Sequence, residues 1–339
     1  MMKQTSSMMD VLYAANDAYV PHLAASVCSF CENNQQEQAI RFHILSLGIN
    51  QDNRNRLTQM LQRYRRQVCF YELGNVLERI RFSVDTRGFD ESVLARLFVG
   101  SVLPKEVQRV LYLDCDTIVT DSLHELFQTD LGDCLLGAVG EPTVTKSRRA
   151  LLGMDSKTVY VNSGVLLFNL ALWREKNAEK TVLDFYCAKG GNLTAPDQDA
   201  INGALAGKIK ELSPRYNYGT IEIYYPYRTL KKISYPVPFV SQECYNAAKS
   251  RPAIIHYLGE ERPWREGTTH PFTEEYEKYL AMTPWRGTPK EKGWKSYFVC
   301  FRIFNAVTRP VPYLRYKMID MLIPAFMRYR AKHREKVVK

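Results

Sequence analysis

Through the first 114 residues, strand-like apolar runs alternate with helix-like stretches. Residues 11–15, 41–47, 68–73 and 109–114 read as strands. Between them, 22–32, a polar 52–64 and 90–103 read as helices; Val93, Leu94, Leu97, Phe98 and Val102 keep helical spacing. Strand, helix, strand in that order calls for parallel strands joined by crossover helices, hence an α/β fold with a mainly parallel central sheet. The pattern continues with strands at 135–139, 165–169 and 253–258 and helices at 171–189 and 197–206. Residues 212–242 are rich in Tyr and Pro and read as long loops, a common place for acceptor recognition. In open sheets of this class, ligands bind beyond the carboxyl ends of the strands.

Other classes are set aside. No run reaches the roughly 18 apolar residues of a spanning helix. The N-terminus lacks an apolar signal core, so the expectation is a cytoplasmic protein with its eight cysteines reduced. Cys28 and Cys31 form a C-x-x-C inside a helical run with no second pair, which points to packing and not to zinc.

The sharpest chemical feature is Arg109-Val-Leu-Tyr-Leu-Asp-Cys-Asp116. Residues two apart on a strand share a face, so Asp114 and Asp116 point the same way past the end of an apolar run. Carboxylates that close repel unless a cation lies between them, and a divalent metal is the natural one. The bland alternative is a polar strand-to-loop exit. His256 ends the strand-like Ile254 and Ile255, so its imidazole can reach the same rim.

Four more segments accompany this one: Tyr13-Ala-Ala-Asn-Asp-Ala-Tyr19, Asn162-Ser-Gly164, Asp197-Gln198-Asp199 and His256-Tyr-Leu-Gly-Glu-Glu-Arg-Pro-Trp264. In that order, with the D-x-D of Asp114 and Asp116, they resemble family 8 of the retaining nucleotide-sugar glycosyltransferases, over roughly residues 9–285. With residues 41–45, the likeness extends to bacterial lipopolysaccharide and lipooligosaccharide galactosyltransferases and glucosyltransferases.

The resemblance implies a GT-A, Rossmann-like catalytic domain over 1–288. It implies transfer of galactose or glucose from a UDP-sugar to an oligosaccharide or lipid-linked saccharide, in lipopolysaccharide or other cell-surface glycan synthesis. Asp114, Asp116 and His256 would hold Mn²⁺, with Mg²⁺ as the alternative. Ala14, Ala15, Asn16, Tyr19, Arg96, Cys115, Gly259 and Arg262 would meet the nucleotide and diphosphate. Glu141, Asn162, Ser163, Gly164, Asp197 and Gln198 would meet the donor sugar, with Gln198 and Asp197 as the catalytic pair.

Each role has a plainer counterpart. Asn16 can read the base or hold its turn, and Glu141 can meet a sugar hydroxyl or be a loop acid. Asn162 and Gly164 suit a turn, Asp197 suits a helix N-cap, and Arg96 suits a solvated helix face. Retention leaves two routes open, since Gln198 is a poor nucleophile and Asp197 is the carboxylate alternative. Arg262 stands where the family usually has Lys, and Asn16 and Ala18 also depart from its pattern. Those departures support a second class: a non-catalytic sugar-nucleotide binder or a membrane scaffold derived from a transferase.

The net charge is +10, and its distribution matters more than its size. Residues 290–339 hold 13 Lys/Arg and three acids, leaving 33 basic and 33 acidic residues elsewhere. Aromatic and aliphatic residues interleave with the charges, and Pro310, Pro312 and Pro324 cut the segment into pieces too short to span a bilayer. A basic amphipathic helical tail over 289–339 is expected, lying on an anionic membrane surface at the inner face of the bacterial cytoplasmic membrane. Charge alone speaks for nucleic acid, with no helix-turn-helix, zinc-finger or RNA-recognition signature, so no nucleic-acid partner is expected.

Overall fold

Ten strands order the chain in the computed structural model, which describes residues 8–337. They are β1 (Met9–Asn16), β2 (Ile40–Leu47), β3 (Gln67–Glu72), β4 (Arg109–Leu113), β5 (Thr117–Val119), β6 (Leu136–Gly140), β7 (Val161–Asn169), β8 (Ile209–Leu212), β9 (Tyr218–Gly219) and β10 (Ile254–His256). Seven form the central sheet, in the order β3-β2-β1-β4-β7-β6-β8, and β5-β10-β9 form a small second sheet. Only β7 runs against its neighbours in the large sheet; the other pairings are parallel, as the alternation predicts.

β1 is apolar from Val11 to Ala15 because both of its faces are covered. Leu12 and Ala14 join one core, while Met9, Val11, Tyr13 and Ala15 join the other. The helices Val20–Asn33 and Gln51–Arg63 cover the second face. The first face is covered by Glu91–Phe98, Leu170–Glu175, Ala178–Ala188 and Pro196–Ala204. Cys28 and Cys31 are buried within the helix Val20–Asn33, with the Cys28 thiol 3.4 Å from the Tyr64 hydroxyl. β1 pairs with β2 on one side and β4 on the other, so the carboxyl ends of β1 and β4 flank a topological switch point.

Several elements depart from the sequence expectation. Residues 91–98 wind as a 3-10 helix, followed by a single α-turn. Arg96 is turned inward, and its Nε takes the Val93 carbonyl that an α-helix would have offered to Leu97. The 171–189 helix breaks at Asn177, whose φ of 50° an Asn side chain tolerates. β7 starts at Val161, not at 165, so Asn162, Ser163 and Gly164 lie within a strand and not in a turn before it. The cause is Asn202, which is fully buried: its amide accepts from the Val161 N–H at 2.7 Å and donates to the Val161 carbonyl at 2.8 Å. Residues 212–242 are not long loops. They fold into short helices, including Thr220–Tyr224 and Tyr227–Ser234; Tyr225, between them, and Leu230 form a separate core with Tyr245 and Tyr316.

The C-terminal segment forms helices Lys295–Thr308 and Pro312–Val337, and no helix among the described residues is long and apolar enough to cross a membrane. Its aromatic side packs inward. Trp294 lies under the Arg265 guanidinium at 3.7 Å, and Phe298 is buried. Arg315 is also buried; it stacks on Tyr224 at 4.5 Å and donates to Asn305 Oδ1 at 2.6 Å. The aliphatic side faces out at Val299, Ile303, Val307, Leu314 and Met321.

Asn202→Leu should leave the Val161 N–H and carbonyl buried without partners, costing about 2–4 kcal/mol. A lowered Tm in a thermal melt checks this, and an unchanged Tm contradicts the strand-fixing role.

Candidate active site

At the switch point, β4 ends at Leu113 and the chain turns through Asp114, Cys115 and Asp116. Backbone bonds hold that turn from both sides. Asp114 N donates to Gly164 O at 2.8 Å, and Tyr257 N donates to Asp116 O at 2.9 Å. The second bond belongs to the small sheet, in which β10 pairs with β5 and sets His256 opposite Thr117. His256 Nε2 thereby comes within 3.2 Å of Asp116 Oδ1 and 3.8 Å of Asp114 Oδ2. Ligand atoms of these three residues all lie within 4.8 Å of one another. Two carboxylates and an imidazole are a donor set suited to a borderline divalent cation.

The imidazole is oriented by Asn217, whose amide oxygen lies 2.7 Å from Nδ1. An amide oxygen only accepts, so Nδ1 carries a proton and Nε2 is the nitrogen facing the carboxylates. Asn217 in turn donates to Asn162 Oδ1 at 2.9 Å, which also accepts from Gly164 N at 2.9 Å. Gly164 leaves room for this packing: a Cβ there would fall 2.2 Å from His256 Cε1 and 2.8 Å from Asp114 Oδ2.

Each carboxylate of the pair also has its own guanidinium. Arg96 is buried, and its Nη2 lies 2.7 Å from Asp114 Oδ1 and its Nε 3.2 Å from Asp197 Oδ2. A solvated helix face is therefore not its setting. Burial works to lower the Arg96 pKa, but Asp114 and Asp197 more than reverse that and hold it charged. Arg262 Nη2 lies 3.1 Å from Asp116 Oδ2. Burial works to raise the Asp116 carboxyl, yet Arg262, with the His256 ring adding to it, brings it well below the usual carboxylate range. Arg262 also donates to the Tyr19 hydroxyl and lies over the Tyr19 and Trp264 rings, 5.9 and 5.4 Å from their centroids. Aromatic walls suit a planar guanidinium better than an ammonium, which accounts for Arg at this position.

Opposite lies a polar wall. Asp197 Oδ2 accepts from Ser163 Oγ at 2.7 Å, and burial raises the Asp197 pKa. Asp197 is not the N-cap of its helix: Ala195 is, and Asp199 Oδ2 takes the Ala195 N–H at 3.0 Å. Gln198 Oε1 accepts from Ser163 N and Asn162 Nδ2, each at 3.1 Å. Glu141 Oε2 accepts from Asn162 Nδ2 and from Gln198 Nε2, each at 3.0 Å.

Most of these groups line one open cleft, together with Ala14, Ala15, Tyr19, Cys115 and Gly259. The left-handed φ of Gly259, 77°, is the backbone a side chain would resist. Cys115 points its thiol at Ala14 O, 3.3 Å away. Asn16 caps its own turn by accepting from Tyr19 N at 3.1 Å. Ile323, from the C-terminal helix, also borders the cleft. Sequence reasoning missed Asn217, Tyr160, Arg148 and the role of the Asp199 side chain. Asn217 lies in the segment read as loop, and no spacing signal ties it to His256.

The model of glycosyl transferase family 8 matches residues 10–268. General stress protein A of Bacillus subtilis (strain 168) is 27% identical over 282 residues, covering 82% of this chain and 95% of that protein. A lipopolysaccharide 1,2-glucosyltransferase of Escherichia coli (strain K12) is 23% identical over 284 residues, 83% of this chain and 80% of that one. Among solved structures, a galactosyltransferase, LgtC, in complex with donor and acceptor sugar analogs superposes with a TM-score of 0.69 at 26% identity, covering 85% of this chain and 99% of that chain.

Removing the partner of Nδ1 should weaken metal binding without touching a ligand. Asn217→Ala should lower Mn²⁺ affinity about 10–100-fold, read by electron paramagnetic resonance titration. Unchanged affinity contradicts the orienting role.

Proposed function

The chain belongs to glycosyl transferase family 8, and on that premise we propose that it transfers a hexose, glucose or galactose, from a UDP-sugar to a saccharide acceptor with retained anomeric configuration. Its fold is GT-A, with the mainly parallel sheet of such transferases. The observation that carries the reading is the convergence of Asp114, Asp116 and His256 Nε2 at the switch point, in a cleft walled by Arg96 and Arg262.

In this reading the diphosphate lies against the two arginines and the bare backbone of Gly259. A divalent cation held by Asp114, Asp116 and His256, Mn²⁺ or alternatively Mg²⁺, would add positive charge beside the diphosphate. Arg96 and Arg262 stabilise the charge that develops on departing UDP, so its departure needs no general acid. Ala14, Ala15, Tyr19 and Cys115 wall the nucleoside, with Asn16 holding the turn. Glu141, Asn162, Ser163, Gly164, Asp197 and Gln198 meet the sugar. The Asp197 carboxylate is already claimed by Ser163 and Arg96. That supports a positioning role for Asp197, and attack on the face from which UDP departs. The Gln198 carbonyl then supports positive charge at the reacting carbon.

The lipopolysaccharide transferase among the relatives supports an oligosaccharide or lipid-linked acceptor, in lipopolysaccharide or other cell-surface glycan synthesis. The exposed aliphatic side of 295–323, set among basic residues, supports a tail over 289–339 that lies on the anionic inner face of the cytoplasmic membrane beside the catalytic domain of 1–288.

Purified protein with Mn²⁺ should release UDP from UDP-glucose or UDP-galactose. Asp116→Ala should reduce release by about 10³-fold or more with the circular dichroism spectrum preserved. Full activity in that variant, or in excess chelator, would sink the metal role. UDP binding without turnover of any donor would favour the non-catalytic binder.

For the tail, reversing three exposed charges (Arg302→Glu, Arg309→Glu, Lys317→Glu) should cut flotation with phosphatidylglycerol vesicles at least about tenfold, at about 1 kcal/mol per basic residue. UDP release should stay unchanged. Equal flotation of both proteins overturns the membrane reading.

A further inference from the structure

A glutamine amide fits its density of neighbours in two senses, with oxygen and nitrogen exchanged. In one sense the Gln198 carbonyl faces the 162–164 segment; in the other, the NH₂ does. The two senses are opposite in charge, and only the first offers a negative dipole end to a sugar carbon gaining positive charge. Something in the fold must therefore choose.

Some of the contacts come from groups that can play one part only. Ser163 N–H and Asn162 Nδ2 need an acceptor and find Oε1, each at 3.1 Å, and Glu141 Oε2 needs a donor and finds Nε2 at 3.0 Å. Another contact is a hydroxyl, which could take either part. Tyr160 Oη lies 3.1 Å from Gln198 Nε2 and is buried, at 2% exposure. Its single proton is committed: the hydroxyl donates to Asp199 Oδ1 at 2.6 Å. That carboxylate is held by the Arg148 guanidinium, with Nη2 at 2.8 Å and Nε at 3.1 Å, and by the Ala195 N–H on its other oxygen. Asp199 thus accepts on both oxygens and has no proton to give back. With its proton spent, Tyr160 Oη faces Gln198 only as an acceptor, and only the NH₂ end can meet it.

We propose that Tyr160, with its hydroxyl proton pinned by Asp199 and Arg148, is a positioning residue that joins Glu141, Asn162 and Ser163 in fixing the sense of the Gln198 amide and so aims its carbonyl at the reacting sugar. The catalytic consequence rests on the transferase reading above; the fixing of the amide does not. Tyr160 touches no substrate in this account and acts only through Gln198. The last Asp of Asp197-Gln198-Asp199 gains a task distinct from that of the first. Asp197 serves Arg96 and Ser163, while Asp199 serves the amide between them.

Tyr160→Phe removes the acceptor and keeps the ring. With glutamine-selective ¹⁵N labelling, the Gln198 side-chain pair is identified by its loss in Gln198→Glu. Its exchange with water should speed up at least about tenfold in Tyr160→Phe, since a protecting hydrogen bond is gone. With the UDP-sugar donor, kcat should fall about 10–100-fold while KM and UDP affinity stay within about twofold. A merely structural tyrosine would lower the Tm without that split. Exchange and kcat both unchanged in a folded Tyr160→Phe overturn the proposal. If Tyr160→Phe does not fold, Arg148→Gln, which loosens Asp199 while leaving the hydroxyl, should move exchange and kcat in the same directions, and no movement overturns it. If exchange quickens but the wild type turns over no donor, the amide-fixing role stands and the transferase reading fails.

Discussion

Asp114, Asp116 and Asp197 converge on one cleft, and their repulsion is the constraint that the rest of the site answers. Arg96 answers two of them at once, turned inward from its 3-10 helix. Arg262 answers the third from the opposite wall, braced by Tyr19 and Trp264. Both guanidiniums line the cleft. The site is thus built around charge that is present before any ligand, with neutral amides supplying direction.

Those amides form a continuous relay. His256 leans on Asn217, Asn217 on Asn162, and Asn162 on both Glu141 and Gln198. The relay joins the side proposed for metal to the side proposed for sugar through groups that carry no net charge. Each amide gives at one end and takes at the other, so the sense of one sets the sense of the next. Gly164 lets the relay pass close to the imidazole.

Much of this was legible in the sequence. Strands buried on both faces announce themselves as apolar runs, so β1, β2 and β4 were readable, and with them the parallel sheet. The D-x-D was readable because a strand end fixes where its neighbours point. Other parts were hidden for physical reasons. Asn162 to Gly164 looked like a turn because an Asx followed closely by Gly favours one; Asn202, forty residues away, overrides that by satisfying Val161 within a strand. Asn217 and Tyr160 act across long chain separations, through single hydrogen bonds that leave no periodicity. The Tyr-rich 212–242 segment looked irregular because its rings pack on one another and on Tyr316, a long-range core invisible to local spacing.

The buried Arg315 has a consequence beyond packing. It grips Asn305, Asn305 donates to the Tyr224 hydroxyl at 3.2 Å, and that hydroxyl donates to Glu261 Oε1 at 2.6 Å. Glu261 is the neighbour of Arg262. Trp294 and Glu291 grip the same loop from outside through Arg265. The C-terminal helices are therefore geared to the arginine that faces Asp116. Arg315, Asn305, Tyr224 and Glu261 thus tie the last two helices to the rim of the cleft.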